Sequence, residues 1–410
     1  MAAGKSKRTI LVLSQVYVPD PAAVGQQMAD AAEELARRGY TVRVLTSARG
    51  YDDPTVRYPA RETRGGVAIV RLPFSSFGKK TILHRLMGQS IFLLQTLLRG
   101  CFTRHLSGIL VSTSPPMCSI AAWIISFLRG VKMTYWIMDI NPDQMIALGH
   151  LTEKSLPSRI FNGLNRRILS RADDVIVLDR FMADRINRKA GVSHKMTILP
   201  PWPLDDYLGV VAHDENPFRK EHGLIGKFVI MYSGNHGHSN PVTTVLQAAL
   251  RLQDDEDLVF AFVGGGMGKQ EVEQTIAEHR PGNIISLPYQ PLESLRYSLS
   301  AADVHVVTVG ESVVGVVHPC KIYGAMSVAR PILLVAPDPC HVSDLVEPSG
   351  IGWHIQHGDL DTAVETIRRI RNTDRETLAT MGQKARHIIK QRFSKTSLLG
   401  QFSDVVERGL

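Results

Sequence analysis

The densest chemical signal in the chain is the stretch Gly310-Glu311-Ser312-Val313-Val314-Gly315-Val316-Val317-His318-Pro319-Cys320-Lys321-Ile322-Tyr323-Gly324-Ala325-Met326. An apolar run ends, a glycine-containing loop turns, and Pro319 stands where a helix would start, a place proline tolerates. Lys321 then falls in the first helical turn, where a cation opposes the helix dipole by about 0.3–1 kcal/mol. A bound diphosphate at that helix end would remove the conflict, so the misfit itself points to a phosphorylated ligand. A second polar loop, Tyr232–Pro241, sets Gly234, Asn235, His236, Gly237, His238 and Asn240 between an apolar run and a helical pattern. That composition suits a phosphate or sugar cradle. Nearer the start, Gly25 lies at a strand-to-helix turn, where a ligand can approach the backbone and the helix N-terminus favours an anion.

Other chemistries fail on residue type. His236 and His238 have no neighbouring Cys or carboxylate to complete a zinc set, so no metal is expected. Gly264-Gly265-Gly266-Met267-Gly268-Lys269 resembles a phosphate-binding loop, yet Val263 stands where its first Gly is needed and Gln270 where Ser or Thr should follow. Asp254-Asp255-Glu256-Asp257 reads as a solvated turn. There is no Gly-x-Ser-x-Gly nucleophile elbow. The basic residues are dispersed and match no nucleic-acid-binding module, so nucleic acid is not an expected partner.

The elements that must position these residues alternate. Ile10–Tyr17 reads as a strand, Gln26–Arg38 as a helix ended by Gly39, and Thr41–Thr46 as a strand. Gly108–Ser112, Trp123–Leu128 and Lys132–Ile137 continue the series of short apolar runs, followed by a helix over Pro157–Arg171 and a strand over Asp174–Leu178. Pro200, Pro201, Pro203 and Pro217 break the rhythm, which places a linker at about 200–222. The alternation then restarts: strands at Lys227–Tyr232, Leu258–Val263, Asn283–Leu287, Asp303–Val309 and Pro331–Val335, helices at Val242–Leu252, Gly268–His279, Leu292–Ser300 and Lys321–Val328. This pattern predicts an α/β protein with two doubly wound lobes and a ligand between them, where strand carboxyl ends meet. The expected domains are 1–205 and 222–391, with a final helix, within 392–410, crossing back onto the first.

A length of 410 residues fits two or three domains. Residues 1–205 hold 28 Lys and Arg against 15 Asp and Glu, and the remainder 19 against 24. A basic first lobe is suited to phosphates or an anionic membrane surface. Cys101, Cys118, Cys320 and Cys340 have no redox or zinc spacing and read as reduced thiols. Lys5-Ser6-Lys7-Arg8 and the short apolar run after it read as a first strand rather than a signal peptide. The 12 residues Met117–Leu128 fall short of the roughly 20 a membrane span needs. Lys79–His105 has an apolar body, Ile91–Leu98, with Lys79, Lys80, Arg85, Arg99 and Arg104 around it. It is either a half-buried helix or an in-plane membrane contact.

Several stretches resemble family 4 glycosyltransferases of the GT-B fold, over nearly the whole chain. Ala301-Ala302-Asp303-Val304 and Ala325-Met326-Ser327-Val328-Ala329-Arg330-Pro331 are similar to that family's donor-lobe signature. Tyr232-Ser233-Gly234-Asn235, His318-Pro319-Cys320-Lys321-Ile322-Tyr323 and Trp136-Ile137-Met138-Asp139-Ile140-Asn141-Pro142-Asp143 are similar to a subgroup from bacterial exopolysaccharide and O-antigen clusters. The resemblance implies two Rossmann-like lobes facing a central cleft, a nucleoside diphosphate sugar as donor, retention of anomeric configuration and no cofactor or metal. The basic first lobe and the Lys79–His105 segment add the expectation of a polyprenyl-linked or saccharide acceptor and of a cytoplasmic enzyme, peripheral at the inner face of the plasma membrane. A nucleotide-sugar 2-epimerase and a non-catalytic scaffold remain as alternatives.

Residue by residue, the resemblance puts Gly25 against the transferred sugar or its phosphate and Asp139 in the first-lobe motif facing the cleft. Gly315, Val316, Val317 and His318 would present backbone amides to the sugar, and Lys321 would meet the diphosphate. Gly234, Asn235, His238 and Tyr323 are expected on the donor side, with Tyr289 walling the base pocket. The sequence departs from the wider family at Val316 and Gly324, where two Glu are usual, at Asn235 and Asn240, where Arg and Lys are usual, and at Met138, often His. Ribose must then be held differently, and on the diphosphate either Lys321 and His238 substitute or the enzyme is weakened.

Overall fold

The structure is a computed structural model that describes residues 8–20, 22–50, 53–75, 82–203 and 209–410. Lys5, Ser6, Lys7, Pro21, Lys79, Lys80, the Arg85 side chain and residues 204–208 of the expected linker lie outside that description. The chain divides into two compact units: Met1–Leu204 together with Lys395–Leu410, and Asp205–Ser394.

Unit 1 runs β1 (Thr9–Leu13), α1 (Ala23–Arg37), β2 (Thr41–Ser47), β3 (Arg61–Arg64), β4 (Val67–Leu72), α2 (Ile82–Cys101), β5 (Leu106–Ser112), α3 (Cys118–Arg129), β6 (Lys132–Trp136), α4 (Asp143–Ala147), α5 (Leu156–Arg171), β7 (Asp174–Val177), α6 (Arg180–Ala190) and β8 (Met196–Ile198). Its sheet has the order β3-β4-β2-β1-β5-β6-β7-β8. The first strand, Thr-Ile-Leu-Val-Leu, is buried throughout and pairs in parallel with β2 and β5. A near-continuous apolar run is what a strand covered on both faces requires. β3 is the exception: it pairs antiparallel with β4, across Gly65 and Gly66 at positive φ (55° and 79°). Trp123–Leu128, one of the short apolar runs, is part of a helix instead. The apolar pattern spans all 12 residues of α3, a length that favours helix over strand, and Gly130 closes it in the left-handed conformation, φ 59°.

Unit 2 runs α7 (Pro217–Glu221), β9 (Phe228–Ser233), α8 (Thr243–Arg251), β10 (Leu258–Val263), α9 (Lys269–His279), β11 (Ile284–Leu287), α10 (Leu295–Ser300), β12 (Val304–Thr308), α11 (Lys321–Ser327), β13 (Ile332–Val335), α12 (Ser343–Ser349), β14 (Gly352–Ile355), α13 (Leu360–Arg371) and α14 (Arg375–Arg392). The order is β11-β10-β9-β12-β13-β14, all parallel. Side chains alternate between two apolar layers: Ile230, Tyr232, Phe260 and Phe262 enter one, Val229, Met231, Val259 and Ala261 the other. α7 lies inside the span read as linker. Its Arg219 is buried and donates to Ala301 O (2.8 Å) and Asp303 Oδ2 (2.6 Å), which ties the helix to the sheet. The Asp303 carboxylate also accepts from the Val229 amide at 2.8 Å, so the Ala-Ala-Asp stretch is structural.

In both units the first strand lies between strands that wind away in opposite directions, β2 and β5 around β1, β10 and β12 around β9. Loops leaving the carboxyl ends at such a switch point diverge and open a crevice. The last helix, α15 (Lys395–Glu407), belongs to unit 1.

Candidate active site

On unit 2 the switch-point loops follow β9 and β12. Gly234, just past β9, has φ 135°, and a Cβ there would stand 2.7 Å from Lys321 Cε. Only glycine leaves room for that lysine at this backbone conformation. The Lys321 ammonium lies 5.3 Å from the centroid of the Tyr232 ring. It forms no ion pair among the described residues, and burial pulls its pKa down to about 8. A cation held over an aromatic face without a carboxylate is ready for an incoming anion.

The loop after β10 closes the floor. Gly264, at φ 130°, would put a Cβ 2.0 Å from Gly234 O. Tyr289, about half exposed, donates to Gly265 O (3.2 Å) and Asn235 Oδ1 (3.3 Å). Asn235 is further fixed because Tyr232 OH donates to its carbonyl at 2.7 Å. His236 is buried against the Tyr232 ring, centroids 4.6 Å apart; burial, followed by the charge of Lys269, lowers its pKa to about 4, so it is neutral at pH 7. The His238 side chain is exposed, on a loop bound to the β12 side by Gly310 N–H to Ser239 O, 2.9 Å. Lys269 donates to the carbonyls of Gly264 (2.6 Å) and Leu287. It braces two strand ends, which explains why the glycine run before it is not a phosphate-binding loop.

Three sequence expectations change here. Pro319 precedes the helix, since α11 begins at Lys321 with Cys320 as its cap. The amides of Val316 and Val317 both donate to Val313 O, at 2.9 and 3.2 Å, and the Val316 side chain is fully buried. Those two amides are therefore committed to the turn around Gly315 rather than presented to a sugar. Tyr323 is buried too. Its hydroxyl meets His318 Nε2 at 2.8 Å and its ring meets Phe393, centroids 5.2 Å apart, so it positions His318 rather than lining the site.

On unit 1, Asp139 follows β6. The Thr113 hydroxyl oxygen, on the loop after β5, accepts from the amides of Met138 and Asp139, each at 3.3 Å. The Asp139 carboxylate has no cationic partner among the described residues, and burial pushes its pKa up to about 6. Asp143, four residues on, is the structural carboxylate: it pairs with Lys189 and, at 3.4 Å, with Arg185. Gly25 departs from expectation. It lies inside the first turn of α1, donates its amide to Ala22 O at 2.9 Å, and a Cβ would be 3.2 Å from Tyr17 Cα and Val16 Cγ1. The close packing of α1 on Val16 and Tyr17 therefore requires glycine at this position.

Residues 22–202 match the family described as glycosyl transferase 4-like domain, and residues 214–388 match glycosyl transferases group 1. The chain is a GT-B glycosyltransferase. Its probable-glycosyltransferase relative WbjE of Pseudomonas aeruginosa is 26% identical over 298 residues, 73% of this chain and 74% of that one. WcaI of Escherichia coli strain K12, named for colanic acid biosynthesis, is 25% identical over 408 residues, 96% of this chain and 98% of WcaI. The crystal structure of Anabaena HepE with UDP and glucose superposes with a TM-score of 0.72 at 15% identity, covering 98% of this chain and 100% of HepE. That likeness is one of fold.

Three residues of this glycosyltransferase went unread in the sequence: Thr113, Tyr232 as the floor under Lys321, and Lys269 as a brace. Thr113 carries no local signal, since its partners lie 25 and 26 residues away. Among the described residues Asp338, Glu347 and His354 gather ligand-type atoms. His354 Nδ1 lies 2.6 Å from Glu347 Oε1 and Nε2 lies 2.9 Å from Ala336 O.

Proposed function

We propose that this glycosyltransferase moves a sugar from a nucleoside diphosphate donor to a hydroxyl of a lipid-linked saccharide, with retention and without a metal, in bacterial surface polysaccharide synthesis. The observation that carries the reading is Lys321: a half-buried ammonium over Tyr232 with no carboxylate partner among the described residues, beside a glycine that a side chain would spoil. In the reaction the bond from the anomeric carbon to the diphosphate oxygen breaks, a bond to the acceptor oxygen forms, and the acceptor's hydroxyl proton passes to the departing diphosphate. Negative charge develops on the leaving diphosphate, and Lys321 meets it. A preorganised donor of this kind contributes about 2.7–4 kcal/mol to lowering the barrier. His238, exposed on the neighbouring loop, is a second donor to the diphosphate, Tyr289 contacts the base, and Gly234, Asn235, Gly315 and His318 shape the donor pocket. Asp139 orients sugar hydroxyls or supports the positive charge at the anomeric centre.

The surface-polysaccharide context is supported by the name of WcaI, and the choice of UDP as the first nucleotide to test by the HepE complex. No helix among the described residues is long and apolar enough to cross a membrane, so we place the enzyme peripherally, at the inner face of the cytoplasmic membrane. The test is calorimetry with UDP, GDP and ADP, followed by product analysis with the matching sugar nucleotides in EDTA. Binding of one nucleotide, with an anomerically retained product, is expected. Absence of binding to every nucleotide would sink the donor reading, and a 2-epimer formed without acceptor would replace it with epimerase chemistry.

A further inference from the structure

The helix pair α2 and α3 exposes large apolar side chains where water should select polar ones. Along α2 the residues Phe92, Thr96 and Gly100 are buried. Gly100 lies against α3 so tightly that a Cβ would be 2.4 Å from Ile125 Cδ1. The face away from that stripe carries Met87, Leu94 and Leu98, all exposed, and just beyond the helix Phe102 is 82% exposed. On α3 the last turn adds Phe127, 72% exposed, and Leu128, 63%. A helix with one buried face normally turns polar residues outward.

These side chains gather at one end of the pair. Arg129, at the end of α3, donates to the carbonyls of Cys101 and Thr103 (3.1 Å to the latter). The carboxyl-terminal ends of the two helices are therefore side by side, with Phe102, Phe127 and Leu128 around the joint. Charge narrows the choice of occupant. From residue 63 to residue 138 the sequence has nine Lys and Arg and no Asp or Glu. Arg104 and Arg129 at the joint are exposed and Arg99 half-buried. A second copy docking here would set arginine against arginine, which is repulsive. An anionic bilayer offers headgroups to the arginines and acyl chains to the rings.

We propose that the joined ends of α2 and α3 form a membrane-docking face, which inserts Phe102, Phe127 and Leu128 among the acyl chains of an anionic lipid surface while Arg99, Arg104 and Arg129 hold the headgroups. The proposal rests on the lipid-linked-acceptor reading for its purpose and on these residues for its geometry. It also relocates the expected contact. The body Ile91–Leu98 has one buried face and exposes Leu94 and Leu98 on the other, and the most exposed apolar side chains lie at the helix end.

The test is flotation of the full chain with vesicles of phosphatidylcholine alone or with phosphatidylglycerol at 30 mol%, a composition of about that order chosen to raise the surface charge. Binding is expected to the anionic vesicles at about 0.1 M salt and to fall steeply near 1 M, where the Debye length drops to about 3 Å. The triple variant Phe102→Ser, Phe127→Ser, Leu128→Ser should lose at least roughly ten-fold in partitioning. Arg99→Glu with Arg104→Glu should abolish the preference for anionic lipid. Leu292→Ser, an equally exposed apolar site on unit 2, should change nothing. UDP calorimetry on the same samples separates the two readings: intact UDP binding without flotation overturns the docking face and leaves the donor site standing. Unchanged flotation of the triple variant overturns the proposal, as does a wild-type dimer that this variant dissociates.

Discussion

A carboxyl pushed up to about 6 by burial at Asp139 and an ammonium pulled down to about 8 by burial at Lys321 define a window. Asp139 is ionised above about 6 and Lys321 protonated below about 8, and the proposed chemistry needs both charges, which coexist only inside the window. The dependence of kcat/KM on pH should therefore rise through about 6 and fall beyond about 8, since that ratio reports the free enzyme. A bound diphosphate stabilises the ammonium, so the alkaline limb of kcat should lie higher than that of kcat/KM. Asp139→Asn should flatten the acid limb, and Lys321→Arg should carry the alkaline limb out of range. An alkaline limb that stays in place in Lys321→Arg would assign it elsewhere. The same burial fixes the sign of a stability effect. The folded state disfavours the Lys321 proton, so between pH 8 and the ordinary lysine value near 10.5 the unfolded chain binds more protons and stability rises with pH. Lys321→Met should lose 10²- to 10³-fold or so in kcat yet melt no lower than wild type at pH 7. Its advantage should shrink above pH 8, as the wild-type lysine sheds its own proton. A Met variant that melts lower at pH 7 would give Lys321 a structural role.

The strand-end loops of unit 2 separate placement from stability. Gly264→Ala puts a methyl 2.0 Å from a backbone oxygen at φ 130°, with nothing flexible to yield. It should destabilise unit 2 by more than about 2 kcal/mol in urea unfolding. Gly234→Ala carries the same backbone strain, at φ 135°, but its methyl meets a flexible side chain, Lys321 Cε at 2.7 Å. Its larger effect should be a raised donor KM, because the ammonium is displaced from Tyr232. If both variants shift stability alike and leave KM alone, the close approach of Gly234 and Lys321 is incidental. At this scale the sequence was most legible where burial is two-sided. Leu258–Val263 is read at both of its ends because its six residues are all buried. Arg61–Arg64 was invisible: its burial pattern is almost wholly exposed and it is held by backbone pairing to β4, which composition does not report. Gly25 and the Val316–Val317 amides show what composition cannot report: each amide already donates to a carbonyl three or four residues back in the chain. Asp139 stood in a recognisable motif, but its lack of a cationic partner among the described residues and its Thr113 tether depend on residues remote in sequence.

At the scale of the whole chain, α15 returns to a unit whose other elements all precede residue 205. Two kinds of contact hold it. Arg38 pairs with Asp404 (2.6 Å) and Glu407 (3.3 Å), and Lys395 with Asp30 (2.8 Å); such pairs, partly in water, are each worth about 0–1 kcal/mol. The larger part is aromatic. Phe402 is buried, with ring centroids 4.4 Å from Trp136 and 5.6 Å from Trp202, while Trp202 Nε1 donates to the same Asp30 at 2.9 Å. Trp136 ends β6, three residues before Asp139, so the C-terminal helix braces the strand that leads to Asp139. Phe402→Ala should cost about 3–5 kcal/mol, the usual range for emptying a buried aromatic site, whereas Asp404→Ala should cost less than about 1 kcal/mol. The loss should be local. In native-state hydrogen exchange the amides of α1 and β6 should lose protection in Phe402→Ala, while those of β9 and β10, in the other unit, keep theirs. Equal loss in both units would mean that the chain unfolds as one cooperative body, and no loss in β6 would remove α15 from the support of Asp139.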